Sequence, residues 1–407
     1  MTRLLLRALR NPNLNAPMFA PKMRTLFWLA CLCVASSCGG NRPQSTSINP
    51  GYRDAAITLA DFLLSQQTAD GAIADKPGGA TSNEDSNMEY ALIGLAAAYS
   101  NTHDSRYLAG LESGIRWLAA REEMSDPEWR GSWFYTYQAT TPYAPVPVSP
   151  GDGFVDARGV DSTSALFVYL LYLHQTLSGS DAVAKEFRDP ARAALNFILN
   201  RNQDENSPFT FSSWHLLPSG EWHQYRYQYA ADQGDVYLGF IAGSFLYEAN
   251  RNGRYGQAAA SIALQLNSTF FSKSKKRYAT GIDEEGTTET TIANFDGIFP
   301  QGYLPWVFGD SSAARAAFAV LQTAERGDGS LVLFSGDPHY SLSVAVYAMA
   351  ATGLHAVVPT GALDWALRTT YNSRTGAIRD TAALRSEVFS NVIGLSIVGL
   401  LRFPALP

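Results

Sequence analysis

The sequence predicts an all-α fold in which twelve helices form a closed double ring, six inner helices inside six outer ones. Three observations carry this reading. From residue 51 onward, amphipathic helical patterns alternate with patterns that are apolar nearly all round. Long loops precede the apolar helices and short ones follow them. The resulting two-helix unit repeats six times, at roughly 55–75 residues each. A helix apolar on every side must be covered on every side, so six of them require one another and an outer layer.

The first helix is predicted at 53–67, with Ala56, Leu59, Ala60, Leu63 and Leu64 on one face. The second, 87–99, is apolar almost throughout, and the third, 105–122, is amphipathic. A long loop over 123–160 carries Trp129, Trp133, Phe134, Tyr135, Tyr137 and Tyr143. The fourth helix, 161–177, follows a polar stretch holding Asp156 and Arg158, and its apolar run continues to Leu173. Asp161, or Ser162 beside it, is a natural N-cap there. The fifth is predicted at 181–201, and the sixth at 233–249, polar at Gln233 and Asp235 before its apolar run. Between them, 202–232 holds Trp214, His215, Trp222, His223, Tyr225, Arg226, Tyr227 and Tyr229.

The seventh helix is predicted at 254–271, and an irregular eighth at 291–308 is interrupted by Pro300 and Pro305. The ninth to twelfth are predicted at 311–326, 340–354, 359–371 and 387–402. Several loops share a glycine-plus-apolar hairpin, as at Asp70-Gly71-Ala72-Ile73, Gly131-Ser132-Trp133-Phe134, Asp328-Gly329-Ser330-Leu331 and Thr375-Gly376-Ala377-Ile378. Every long loop then falls on one face, at the N-terminal ends of the inner helices. One domain, 51–403, accounts for all twelve helices.

Composition narrows the function. Hydrophobic residues form 46% of the 407, enough for a large core, while net charge is −6 with no long basic block, which argues against nucleic acid as a partner. Aromatic residues at 12% exceed what a core needs if many lie in loops, and flat neutral ligands such as sugar rings would use them. At the N-terminus, Lys22-Met23-Arg24 and the apolar run 25–35 have the form of a signal peptide, with Met23 the expected start and 1–22 upstream of it. Ser36-Ser37-Cys38-Gly39 resembles a bacterial lipoprotein processing site, so 1–38 reads as a signal segment with Cys38 lipidated and 39–50 as a flexible tether. The apolar run is too short to span a bilayer. The expected location is the bacterial cell envelope, lipid-anchored, periplasmic or secreted, with membrane contact through that lipid only and a monomeric domain. Cys31, Cys33 and Cys38 are the three cysteines, so the rest of the chain offers neither disulfide nor thiolate.

The alternation resembles the (α/α)6 toroid over essentially all of 51–403. Six-hairpin glycosidases, inverting bacterial endoglucanases and chitosanases, toroid polysaccharide lyases and N-acylglucosamine epimerases share that fold. The resemblance implies a carbohydrate in a cleft at the inner-helix N-termini. In the endoglucanase family a Glu precedes the first inner helix and an Asp opens a later one. Asn83-Glu84-Asp85-Ser86-Asn87-Met88-Glu89-Tyr90 and Val160-Asp161-Ser162-Thr163-Ser164-Ala165 occupy comparable places. Asp85 stands where that family has glycine, and Glu89 competes with Glu84 for the acid's role.

Glycoside hydrolysis needs two carboxyl groups flanking the scissile bond, about 6.5–9.5 Å apart for inversion. Aligning the apolar runs places Glu89, Thr163 and Asp235 in one layer and Asn87, Asp161 and Gln233 just above it. Glu89, Asp161 and Asp235 are therefore the candidate catalytic carboxylates, against the alternative that each only stabilises a helix dipole. Asp232 and Asp296 are further candidates, while Asp70 and Asp328 read as turn residues. Candidate substrate-binding residues are Trp133, Tyr135, Arg158, Trp214, Trp222, His223, Arg226 and Tyr229. The alternation in 222–229 equally suits a strand with one packed face. No metal spacing and no nucleotide fingerprint is present, so no metal and no cofactor is expected. The leading expectation is an exported, inverting glycoside hydrolase acting on a neutral or amino-sugar polysaccharide or oligosaccharide. A polysaccharide lyase, an epimerase using His223 and His339, and a non-catalytic glycan-binding envelope lipoprotein remain open.

Overall fold

The computed structural model describes residues 48–407, apart from 152, 250–251, 291 and 293. The expected signal segment, Cys38 and positions 39–47 of the expected tether lie outside the described residues.

Thirteen α-helices occur among the described residues. They are α1 (Pro50–Gln66), α2 (Asn87–Thr102), α3 (Ser105–Ala119), α4 (Asp161–Ser178), α5 (Ala182–Glu186), α6 (Arg188–Phe197) and α7 (Ala230–Tyr247). The chain continues with α8 (Arg254–Thr269), α9 (Phe295–Phe308), α10 (Ser312–Ala324), α11 (Ser341–Gly353), α12 (Thr360–Thr369) and α13 (Ser390–Leu401). The all-α toroid expected from the sequence is the fold observed. Helices α2, α4, α7, α9, α11 and α13 contact one another in that order, and α13 returns to α2 to close the ring. Outside them, α1 covers α13 and α2, α3 covers α2 and α4, and α6 covers α4 and α7. Helices α8, α10 and α12 back α7, α9 and α11. The alternation of apolar and amphipathic helices is this difference in cover.

The expected fifth helix, 181–201, is divided into α5, α6 and a π-helical turn at Ile198–Asn202. Pro190 has no N–H for the carbonyl of Glu186 and its ring crowds that carbonyl, so the helix breaks at Phe187. In α9, by contrast, Pro300 and Pro305 sit within one helix. Buried Tyr303, Leu304 and Trp306 hold it in the ring despite the missing hydrogen bonds. Helix α7 begins three residues before its expected start, at Ala230, which matters for the site.

Inner helices approach closely where glycine faces its neighbour. A Cβ on Gly394 of α13 would lie 2.2 Å from the carbonyl oxygen of Tyr90, and one on Gly94 of α2 would lie 2.6 Å from Cα of Gly394. These two glycines form the seam where the first and last inner helices meet. The hairpin glycines make a second set of contacts around the outside. Gly71, Gly131 and Gly329 have φ of +96°, +93° and +90°, and a Cβ on each would lie 2.1 Å from a backbone oxygen, of Ser113, Ala193 and Gly361 respectively. Gly376, after α12, rests on Thr58 of α1. Each turn thus abuts the next outer helix, so the hairpins stitch one repeat to the following one.

Gly394→Ala should destabilise the fold by about 1–3 kcal/mol, the usual cost of overpacking. Gly327→Ala, where no atom lies within 4 Å of the added Cβ, should change stability by less than about 0.5 kcal/mol. Denaturant unfolding that ranks the two variants equally would contradict this account of the seam.

Candidate active site

A cavity of about 530 Å³ opens on the loop face. Asn87, Ser162, Ala231, Asp296, Leu342 and Asn391 line it, one from the first turn of each inner helix. All six helix N-termini therefore converge on one space, where unpaired N–H groups and the positive dipole ends favour negative charge. Tyr90, Phe299 and Leu395 form apolar lining beneath that rim.

Asp85 enters the cavity from a contorted loop. Asn83, Asp85 and Ser86 have φ of 59°, 46° and 66°, left-handed conformations rare outside glycine. Each such residue costs on the order of 1–3 kcal/mol unless its surroundings enforce it. The enforcing contacts are present. Glu84 N–H donates to Asp75 Oδ1 at 3.0 Å, Met88 N–H to Asn83 Oδ1 at 3.3 Å, and Asp85 N–H to the Tyr135 carbonyl at 3.3 Å. The Asp85 side chain is exposed to the cavity but set deep among protein atoms. Loss of solvation, with Glu84 and Asp296 nearby, pushes its pKa up to about 6.

Asp232, in the first turn of α7, also lines the cavity. Loss of solvation and then the charges of Asp161, Asp85, Asp235 and Asp296 drive its pKa well above the usual carboxylate range. The helix dipole acts in the opposite direction, but loss of solvation, with the crowd of acids behind it, prevails. Asp296 is raised as well, by desolvation and then by Glu289. Both wall carboxyl groups thus hold their protons more tightly than usual, Asp85 with a pKa near 6 and Asp232 with one well above the usual carboxylate range.

Glu89, Asp161 and Asp235 come to the same end of the ring, yet they lie behind the cavity lining, with no exposed surface. Asp161 accepts from its own helix at Ser162 N–H, 2.8 Å, and from the Thr210 hydroxyl. Asp235 accepts from the hydroxyls of Tyr90, at 2.7 Å, and of Tyr303. Glu89 is held by Asn83 Nδ2 at 3.3 Å. Burial raises the Glu89 pKa to about 8 and that of Asp235 to about 7. The early start of α7 explains the depth of Asp235, since it brings Asp232 to the rim and leaves Asp235 nearly one turn below.

Strand alternation divides the loop aromatics. Strands β1 (Asp156–Arg158), β2 (Ser213–Leu216) and β3 (Trp222–Tyr225) form an antiparallel sheet in which Ala157 opposes His215 and His215 opposes His223. Ala157, Ser213, His215 and Tyr225 face the cavity. The ring of His215 stacks on Tyr225 at 4.5 Å, and Phe154 meets its edge at 5.1 Å. Tyr227 lies against Tyr229, with ring centres 4.4 Å apart, and Tyr229 is itself part of the cavity wall.

Side chains of the other register turn away. Arg158 lies over Trp129 at 4.1 Å and Phe134 at 4.5 Å, with Trp222 at 5.7 Å, and Arg201 covers Trp214 at 4.6 Å. This cation–π knot fixes the back of the sheet. Trp133 is core, packed on Phe167 and donating to the Leu118 carbonyl at 2.9 Å. His223 shares the register of His215 but is exposed beside Glu221, outside the cavity lining, and Arg226 borders a separate surface hollow with Asp204 and Gln224. Of the eight expected substrate-binding residues, Tyr135 and Tyr229 line the cavity. His339 is outside it too, bonded through Nδ1 to the Leu331 carbonyl and lying against Trp365. Among the described residues, no group of three or more His, Cys, Asp or Glu side chains is placed to hold a metal ion.

No family model and no curated protein sequence matches this chain. Solved structures do match in shape. A D-mannose isomerase aligns with a TM-score of 0.61 at 10% identity, over 89% of this chain and 99% of its own. A possible GH105 family member from Salmonella enterica serovar Paratyphi A aligns at 0.60 and 10% identity, over 89% and 96%. An unsaturated glucuronyl hydrolase specific for heparin aligns at 0.59 and 12% identity, over 87% and 96%. At these identities the likeness establishes architecture: the chain has the (α/α)6 toroid fold.

Proposed function

We propose that the protein is a glycoside hydrolase of the cell envelope that cleaves by inversion, with Asp232 as general acid and Asp85 as general base. One observation carries this reading: two carboxyl groups with separated proton affinities face the same cavity at the convergence of six helix N-termini. Asp232 gives its proton to the departing glycosidic oxygen. Asp85 takes a proton from the water that attacks the anomeric carbon from the opposite side. Sugar rings stack on the wall formed by Phe154, His215, Tyr225 and Tyr229. Placement in the envelope rests on the N-terminal segment with Cys38. An isomerase reading is less favoured, because His215 is the single histidine among the described lining residues and its ring is stacked on Tyr225.

Asp232→Asn and Asp85→Asn should each lower turnover of a cleaved oligosaccharide by about 10²–10⁴-fold, the usual contribution of a general acid or base. Reducing-end release from a panel of oligosaccharides measures it, and a fully active Asp232→Asn variant would sink the assignment. Activity should rise with pH through about 6 as Asp85 ionises, despite Glu84, Asp296 and Asp232 around it, and fall at higher pH as Asp232 loses its proton. A profile flat across pH 5–7 would remove Asp85 as base.

Glu89 should behave differently. Its pKa is raised from 4.5 to about 8 in the fold, so folded protein binds the more protons between those values. That stabilisation is complete below about 4.5 and is lost as pH rises through about 8. Glu89→Gln, which cannot ionise, should therefore make the melting temperature fall less steeply over that window. A variant with an unchanged slope would show that Glu89 ionises freely.

A further inference from the structure

Four carboxyl groups line the cavity, from Glu84, Asp85, Asp232 and Asp296, and among its described lining residues there is no lysine and no arginine. Acid–base chemistry uses two of the four. Glu84 and Asp296 are left over, and each adds to the repulsion on Asp85, while Asp296 also acts on Asp232. Lys76 is the cation that acts on Glu84, and it does so from outside the cavity, where it pairs with Glu387 at 2.8 Å. A surplus of one sign of charge gathered around one cavity is unfavourable until a cation or extra protons offset it. Beside this acidic side stands the aromatic side of Phe154, His215, Tyr225 and Tyr229, a surface for the apolar face of a sugar ring. A ligand that fits both is a pyranose with a positive substituent.

We propose that the cavity takes a glycan bearing a free amino group, a hexosamine unit whose ammonium lies between Glu84 and Asp296, and that it rejects uronic acids. The proposal rests on the glycan-cleaving reading above and names its substrate class. The ammonium supplies three donors and one positive charge to carboxylates that otherwise repel each other. N-acetylation removes that charge, and a uronate would bring a fifth carboxyl group into the space.

Calorimetric binding to the Asp232→Asn protein, which keeps the ligand intact, tests this. The probes are matched short oligomers of glucosamine, N-acetylglucosamine, glucose and glucuronic acid, in both α-1,4 and β-1,4 linkage. The free-amine series should bind at least about tenfold more tightly than the N-acetylated one at low salt, and the uronic series should not bind. Adding Asp296→Asn should reduce the amine preference to about threefold or less, with a circular-dichroism melt confirming the fold. Equal or tighter binding of the N-acetylated, neutral or uronic series overturns the charge inference and leaves the hydrolase reading standing. Binding of none of the four overturns both.

Discussion

Closure of the inner ring is the constraint on which the rest depends. Six helices that are apolar nearly all round have no stable exposed face, so each must touch two inner neighbours and be covered from outside. The contact that closes the ring joins α13 to α2, helices separated by most of the chain. It is made at backbone distance, glycine to glycine, through Gly94 and Gly394. Once the ring is closed, the six inner N-termini must meet at one end. A site at that end follows from topology before any side chain is considered.

What the helices bring there is an electrostatic conflict. Helix N-termini favour anions, and the chain supplies acids in excess: four on the cavity wall and three sealed behind it. The sealed three are stabilised by hydroxyl and amide donors from Thr210, Tyr90, Tyr303 and Asn83. Their burial raises their own proton affinities, and Asp161 and Asp235 in turn raise that of Asp232 in front of them. Asp161 and Asp235 thus act on the proton affinity of a wall residue from behind the cavity lining.

The architecture was legible because the alternation of burial is written into composition at helical spacing, and because glycine marks each stitching turn. The cavity at the inner-helix N-termini follows from that alternation, whereas the residues that line it were only partly legible. Alignment of apolar runs assumed that α7 starts at Gln233, and its start at Ala230 exchanges Asp235 for Asp232 at the rim. Asp85 reads in sequence only as a departure from glycine, yet its left-handed backbone is the conformation glycine would supply, and Asn-Glu-Asp-Ser-Asn is a composition that tolerates it. The aromatics of 214–229 carry no register in the sequence itself. Pairing of His215 with Ala157 and His223 assigns Tyr225 and His215 to the cavity and sends Trp214 and Trp222 to the far side with Arg158. A strand's period of two decides such questions only once one pair is known.

The central claim is that a glycan is cleaved at the inner-helix N-termini between Asp232 and Asp85. A crystal structure of the Asp232→Asn protein with a bound oligosaccharide tests it most directly. The account predicts a glycosidic oxygen within hydrogen-bond distance of residue 232, and a water between the anomeric carbon and the Asp85 carboxylate. An oligosaccharide seated instead on the Trp129–Trp214–Trp222 side of the sheet, or one whose glycosidic oxygens all lie beyond reach of residue 232, would contradict it.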